Sequence, residues 1–183
     1  MPVTVLDPKT ALVVIDLQKG IVALPVAHPV EGILERVRTL AVAFRGRGLP
    51  VVLVNVEGGA PGRCEQPRRV GDLASGWSEL VAELERQPSD HVVTKKTWGA
   101  FTNTGLLDLL NKQGITQIVL AGISTSIGIE STARQAQELG LNVTLVLDAM
   151  TDMHLDAHLN STTRIFPRLG ETGTTDDILA LLA

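Results

Sequence analysis

The stretch IVLAGISTSIGIESTARQAQELG, residues 118–140, holds one complete structural unit. It opens with Ile118–Ala121, a short apolar run without polar alternation, the pattern of a strand buried on both faces. Gly122 permits a tight turn or a close backbone approach. Thr125 and Ser126 stand where hydroxyls cap a helix. The helix itself is expected over residues 127–139, with Gly140 as its C-cap. A strand, a polar turn and a helix in that order form the repeating unit of a parallel sheet.

The same unit recurs outward from this stretch. Similar β-branched apolar runs occur at Ala11–Ile15, Val51–Val56, Val92–Thr94 and Val143–Leu147. Between the first two, Val30, Ile33, Leu34, Val37, Leu40, Ala41 and Phe44 fall on one helical face, which Gly46 and Gly48 bring to an end. Further helices are expected around Leu106–Leu110, over residues 154–165 and at Asp176–Leu182, and one more over residues 75–87. Residues 57–74, rich in Gly, Pro and charge, read as a long surface loop. Strands alternating with helices predict an α/β fold: a Rossmann-like three-layer sandwich with a mostly parallel sheet of about six strands. Thr172–Asp176 leads toward the sixth, at an edge. The 183 residues fit a single domain spanning 1–183.

Composition narrows the partners. Sixteen basic against twenty acidic residues give a net charge of −4, and no segment concentrates the basic ones, which speaks against nucleic acid or an anionic membrane surface. No apolar run reaches the roughly 18 residues of a membrane span. The start, MPVTVLDPKT, lacks the pattern of a signal peptide. A cytoplasmic protein is the expectation. The one cysteine, Cys64, has no partner for a disulfide or a zinc site.

In open parallel sheets, ligands bind beyond the carboxyl ends of the strands. The polar residues expected there are Asp16; Asn55 and Glu57; Lys95 and Lys96; the run Gly122–Gly128; and Asp148. Asp16 follows an apolar run, so its carboxylate is desolvated, which raises its pKa unless a cation lies near. Lys95 is placed to be that cation. Such a pair suits proton transfer, but a buried structural ion pair has the same signature. The N–H groups at the start of the 127–139 helix suit a developing negative charge.

These residues resemble the isochorismatase-like hydrolases, also called the cysteine hydrolase superfamily, from about residue 9 to the C-terminus. ALVVIDLQKG (11–20) resembles the first-strand motif, whose acid falls on Asp16. VTKKTWGAF (93–101) resembles the lysine motif, with the lysine on Lys95, an aromatic at Trp98 and the Phe on Phe101. AGISTSIGIESTARQAQELG (121–140) resembles the third motif. The resemblance implies catalytic positions at Asp16, Lys95 and Gly128. It implies substrate contacts from Gln18, Trp98, Phe101, Ser124, Thr125 and Ser126. It also implies a small-molecule substrate, a homo-oligomer (dimer or larger), and a non-proline cis peptide before the conserved Thr, at Ser124–Thr125.

One departure redirects the chemistry. Most members carry a nucleophilic cysteine where this chain has Gly128, and a glycine supplies no nucleophile for a covalent intermediate. The isochorismatase branch resembles this chain at that point. It cleaves a vinyl ether, which needs a proton on the enol carbon and then water. Yet Ser124-Thr125-Ser126 stands where that branch tends to have Tyr-Ala-His, so the flanks are amidase-like. Three readings stay open: an acid–base hydrolase of a vinyl-ether-type carboxylate using Asp16 and Lys95, an amidase using Ser126 or activated water, and a non-catalytic small-molecule binder. The Asp-x-His…His metal site of nicotinamidases has no histidine in VNVEGGAPGR (54–63). His154 and His158, four apart, read as a solvated helix face with Asp152 and Asp156. No metal and no cofactor are expected.

Overall fold

The computed structural model describes residues 2–65 and 74–183. Six parallel strands form one sheet in the order β3-β2-β1-β4-β5-β6: β1 Thr10–Ile15, β2 Val51–Val56, β3 His91–Lys95, β4 Gln117–Ile123, β5 Asn142–Thr151 and β6 Glu171–Gly173. The α/β, mostly parallel, six-stranded expectation holds, and every named strand is parallel to its neighbours. β1, β2 and β4 are buried along their full length, as continuous apolar runs require.

Successive side chains of β1 point to opposite faces and so enter two separate cores. Leu12 and Val14 pack with Ile33, Val37, Leu40 and Phe44 of the helix α2 (Val30–Gly46), after the one-turn helix α1 (Lys19–Val22). Ala11, Val13 and Ile15 pack with Leu106 and Leu110 of α3 (Leu106–Lys112) and with Ala133 and Ala136 of α4 (Glu130–Glu138). Each fully buried Leu or Ile contributes about 1.5–3 kcal/mol, so the two cores dominate stability. α5 (Leu155–Asn160) follows β5. The last helix, α6 (Thr175–Leu182), joins the α2 face through Ile178 and Leu182.

Three expectations need correction. Residues 75–87 form no continuous helix: the described segment is a turn at Trp77 followed by one 3₁₀ turn, Ala82–Leu84. Its backbone groups bond instead to the chain after β1, with Lys19 N–H on Glu79 O, Gly20 N–H on Trp77 O and Val81 N–H on Leu17 O. β5 does not end at Asp148. It runs to Thr151, after a register shift opposite Leu120 and Gly122. Asp148 accepts the Thr175 N–H at 2.7 Å and pairs with Arg36 at 3.2 Å, so it starts α6 and does not face the crevice. The helix expected at residues 127–139 begins as a π turn, Thr125–Ile129, before α4. Of the loop expected at 57–74, residues 57–65 carry no helix or strand, and 66–73 lie outside the described residues.

Candidate active site

The strand order reverses between β1 and β4, and the crevice beyond their carboxyl ends is where an open α/β sheet receives ligand. Two chain segments leave the sheet there. Asp16 follows β1 in the left-handed region, φ 52°, with its N–H held by Val54 O at 2.9 Å. Beside it, Gly122 of β4 lies opposite Ile15 with φ 121°. A Cβ at Gly122 would fall 2.1 Å from the Ile15 carbonyl oxygen, so only glycine lets the two strands approach this closely.

Lys95 ends β3, two strands from β1 and therefore roughly 10 Å away. Its side chain nevertheless reaches Asp16. Nζ lies 2.7 Å from Asp16 Oδ2 and 3.2 Å from the Thr97 carbonyl. Both side chains are nearly inaccessible, at 2% and 8%. The ammonium favours the carboxylate, while burial penalises both ions. A Cβ at Gly128 would lie 3.3 Å from the same Oδ2 and 2.9 Å from Ile15 Cγ2. Asp16, Lys95 and Gly128, far apart in sequence, thus meet at one point.

The third-motif turn is held from outside. Its cis peptide is Ile123–Ser124, one bond earlier than the resemblance implied, at the point where the chain leaves β4. Thr125 and Ser126 do not cap α4 as expected. A carboxylate instead holds the start of the π turn: Asp152 Oδ2 accepts the Ser126 N–H at 2.7 Å and the Ser126 hydroxyl at 2.8 Å. Thr125, fully buried, lies 2.9 Å from His158 Nδ1, and the Ser124 hydroxyl donates to Met153 Sδ at 3.3 Å. Asp152 and His158 are therefore no solvated face: they are 2% and 7% exposed, while His154 and Asp156 do face solvent. Burial lowers the His158 pKa below 6.5, helped by the His28 charge and opposed by Asp152. Among the described residues, no three His, Cys, Asp or Glu side chains gather as a metal site would require.

The comparisons with known proteins identify the family. Residues 10–177 match the isochorismatase domain. The isochorismatase family protein YecD of Escherichia coli O157:H7 is 41% identical, over 94% of this chain and 96% of its own. The chain belongs to the isochorismatase family. An isochorismatase family protein from Burkholderia thailandensis superposes with a TM-score of 0.93 at 43% identity, covering 97% of each chain. A ureidoacrylate amidohydrolase of Pseudomonas savastanoi pv. phaseolicola is 29% identical over 81% of this chain and 73% of its own. The protein is thus an isochorismatase-family hydrolase, and its site must say which bond it cleaves.

Not every residue that the resemblance marked reaches the crevice of this isochorismatase-family site. Gln18, fully buried, spends its amide on backbone: Nε2 donates to Val56 O and Trp77 O, and Oε1 accepts the Val56 N–H. It fixes the start of the segment that carries Asp16 instead of presenting a free amide. Phe101 packs against the α3/α4 core, and its N–H bonds to Gln135. Trp98 is 57% exposed, three residues beyond Lys95. Of the expected strand-end residues, Asn55 is held by Ser78 O and Thr94, which leaves it structural. Cys64 is exposed. No helix among the described residues is long and apolar enough to cross a membrane. Sequence reasoning missed Asp152 and His158. The signal was the second acid in DAMTD (148–152), placed where the strand truly ends.

Proposed function

We propose that this hydrolase cleaves a vinyl-ether-type bond in a small carboxylate by proton transfer, without a covalent enzyme intermediate and without a cofactor. One observation carries the reading: the backbone beside Asp16 Oδ2 is that of Gly128, which has no nucleophile and packs so closely that a Cβ there would fall 3.3 Å from Oδ2 and 2.9 Å from Ile15 Cγ2. The reacting group must then be one that a proton alone activates. Asp16, in contact with Lys95 at 2.7 Å, gives its proton to the terminal enol carbon and draws on the ammonium to do so. The carbon–oxygen π system becomes an oxocarbenium ion. Water adds to it and returns its proton to the pair. The hemiketal then collapses to an alcohol and a keto acid, so the sum is substrate plus water. N–H groups of the Ser124–Gly128 turn suit the substrate's negative charge, with Ser124 and Ser126 on the approach and Thr125 buried behind it. The same reading has residues 1–183 acting as one domain in the cytoplasm, as a homo-oligomer, with no nucleic-acid or membrane partner.

The test is pyruvate release from isochorismate by purified protein, with Asp16→Asn as control. Release that disappears in the variant supports the mechanism. Absence of release removes this substrate and shifts weight to a non-catalytic binder. A second reading has a specific observation behind it: the Ser126 hydroxyl donates to Asp152 at 2.8 Å, a carboxylate base for an amidase nucleophile. The amidohydrolase named above makes small amides the substrates to try. Turnover of an amide that Ser126→Ala abolishes and Asp16→Asn spares would favour it.

A further inference from the structure

Thr125 and His158 sit behind the turn that presents Gly128 to Asp16, and neither takes part in the proposed reaction. Thr125 is 0% exposed, and His158 Nδ1, at 2.9 Å, is the one hydrogen-bond partner that its hydroxyl has among the described residues. His158 is anchored in turn: its carbonyl accepts from Thr162 at 3.0 Å on the continuation of α5. Its ring meets that of His28 edge-on, centroids 4.8 Å apart, and His28 Nδ1 lies 2.9 Å from Thr151 Oγ1. The charged or titratable groups around the imidazole are His28 from the loop before α2 and Asp152 from the end of β5. From the π turn it meets the uncharged Thr125.

We propose that His158 is a positioning residue: its neutral Nδ1 accepts the Thr125 hydroxyl proton and thereby fixes the Thr125–Ile129 turn, and protonation of the imidazole releases that turn and lowers turnover on the acid side. With Nδ1 assigned as the acceptor, the direction of the pH effect follows. An imidazolium has two N–H donors and no acceptor. The Thr125 proton then loses its acceptor inside a buried site, which is costly. The added charge also faces His28 across the edge-on ring contact, although Asp152 offsets part of that repulsion. Burial of His158 keeps the neutral, acceptor form dominant near neutral pH. The turn that depends on this bond is the one that sets where Gly128 stands relative to Asp16 Oδ2.

The effect on turnover rests on the site assignment proposed above, so the experiment has a readout that needs no substrate. NMR follows the His158 imidazole and the Gly128 amide of the intact protein against pH. In the unaltered protein the Gly128 resonance tracks the His158 titration. In Thr125→Val, His158 still titrates but Gly128 no longer follows, because the link through the hydroxyl is gone. His158→Asn keeps an acceptor and cannot titrate, so it retains kcat near neutral pH and loses the acid limb. His158→Ala loses roughly 10- to 100-fold in kcat with KM little changed. A Gly128 resonance that stays flat while His158 titrates, or one that still follows it in Thr125→Val, overturns the proposal. An acid limb that survives in His158→Asn also overturns it. If no substrate is turned over, the vinyl-ether reading fails and the two resonances still decide this one.

Discussion

β3 carries a buried ion pair at each end, and the two pairs differ in what surrounds them. At its start Asp90 is gripped by Arg45 with two parallel contacts, 2.9 and 2.7 Å, and takes the Gln87 N–H at 2.8 Å as well. At its end Lys95 Nζ meets Asp16 Oδ2 at 2.7 Å, and the side-chain-free backbone of Gly128 packs beside that oxygen. The first pair is a closed, bidentate clamp between α2 and the strand. The second stands at the strand-order reversal, where a ligand enters. Burial and charge are common to both. A pair becomes chemically useful through its place in the topology.

The sharpest break between the two comes from neutralising each acid. Asp16→Asn lowers turnover by roughly 10²–10⁴-fold, the range expected for loss of a general acid. It also costs stability, because Lys95 loses its counter-charge in a buried place, so turnover is the deciding measurement and not melting. Asp90→Asn does the reverse: it leaves kcat unchanged at a temperature where the protein is folded and costs about 3 kcal/mol in denaturant unfolding. If Asp90→Asn lost turnover as Asp16→Asn does, the contrast between a clamp and a reactive pair would collapse.

A smaller change probes the close approach of Gly128 itself. Gly128→Ala places a methyl 2.9 Å from Ile15 Cγ2 and 3.3 Å from Asp16 Oδ2. Overpacking of this kind costs about 1–3 kcal/mol, and the displaced carboxylate costs roughly tenfold in kcat. Both are read by unfolding and steady-state kinetics on the same preparation. Undiminished turnover in this variant would mean that the reacting atom does not pass beside Oδ2.

Most of the sheet was legible because a strand buried on both faces has nothing to alternate with, as Ala11–Ile15, Val51–Val56 and Ile118–Ala121 illustrate. The meeting of Asp16 and Lys95 was legible as well, since both end strands of one parallel sheet. What was not legible follows from backbone bonds that the pattern does not encode. Trp77, Leu80, Val81 and Leu84 have helical spacing, yet their segment pairs with residues 17–20 and cannot also close helical turns. Asp148 has the look of a strand end, but its charge is absorbed by Arg36 and the start of α6, so β5 runs on. That error hid Asp152, and with it the whole support behind the third-motif turn. His154 and His158 are one helical turn apart, and only the packing of α5 against that turn separates the exposed one from the buried one.

The smallest expected effect tests that support through stability alone. Native His158 binds its proton less tightly than the unfolded chain, where histidine titrates near 6.5. Between the lowered native value and 6.5 the unfolded chain therefore holds more protons, and acidification through this window favours unfolding. The contribution is fully present above 6.5 and is lost as pH falls through the native value. Unfolding free energy measured by urea titration across this window should rise with pH in the unaltered protein. In His158→Asn the slope should flatten. An equal slope in both would mean that the buried imidazole is held no differently from an exposed one, and that the turn behind Gly128 draws its rigidity from Asp152 alone.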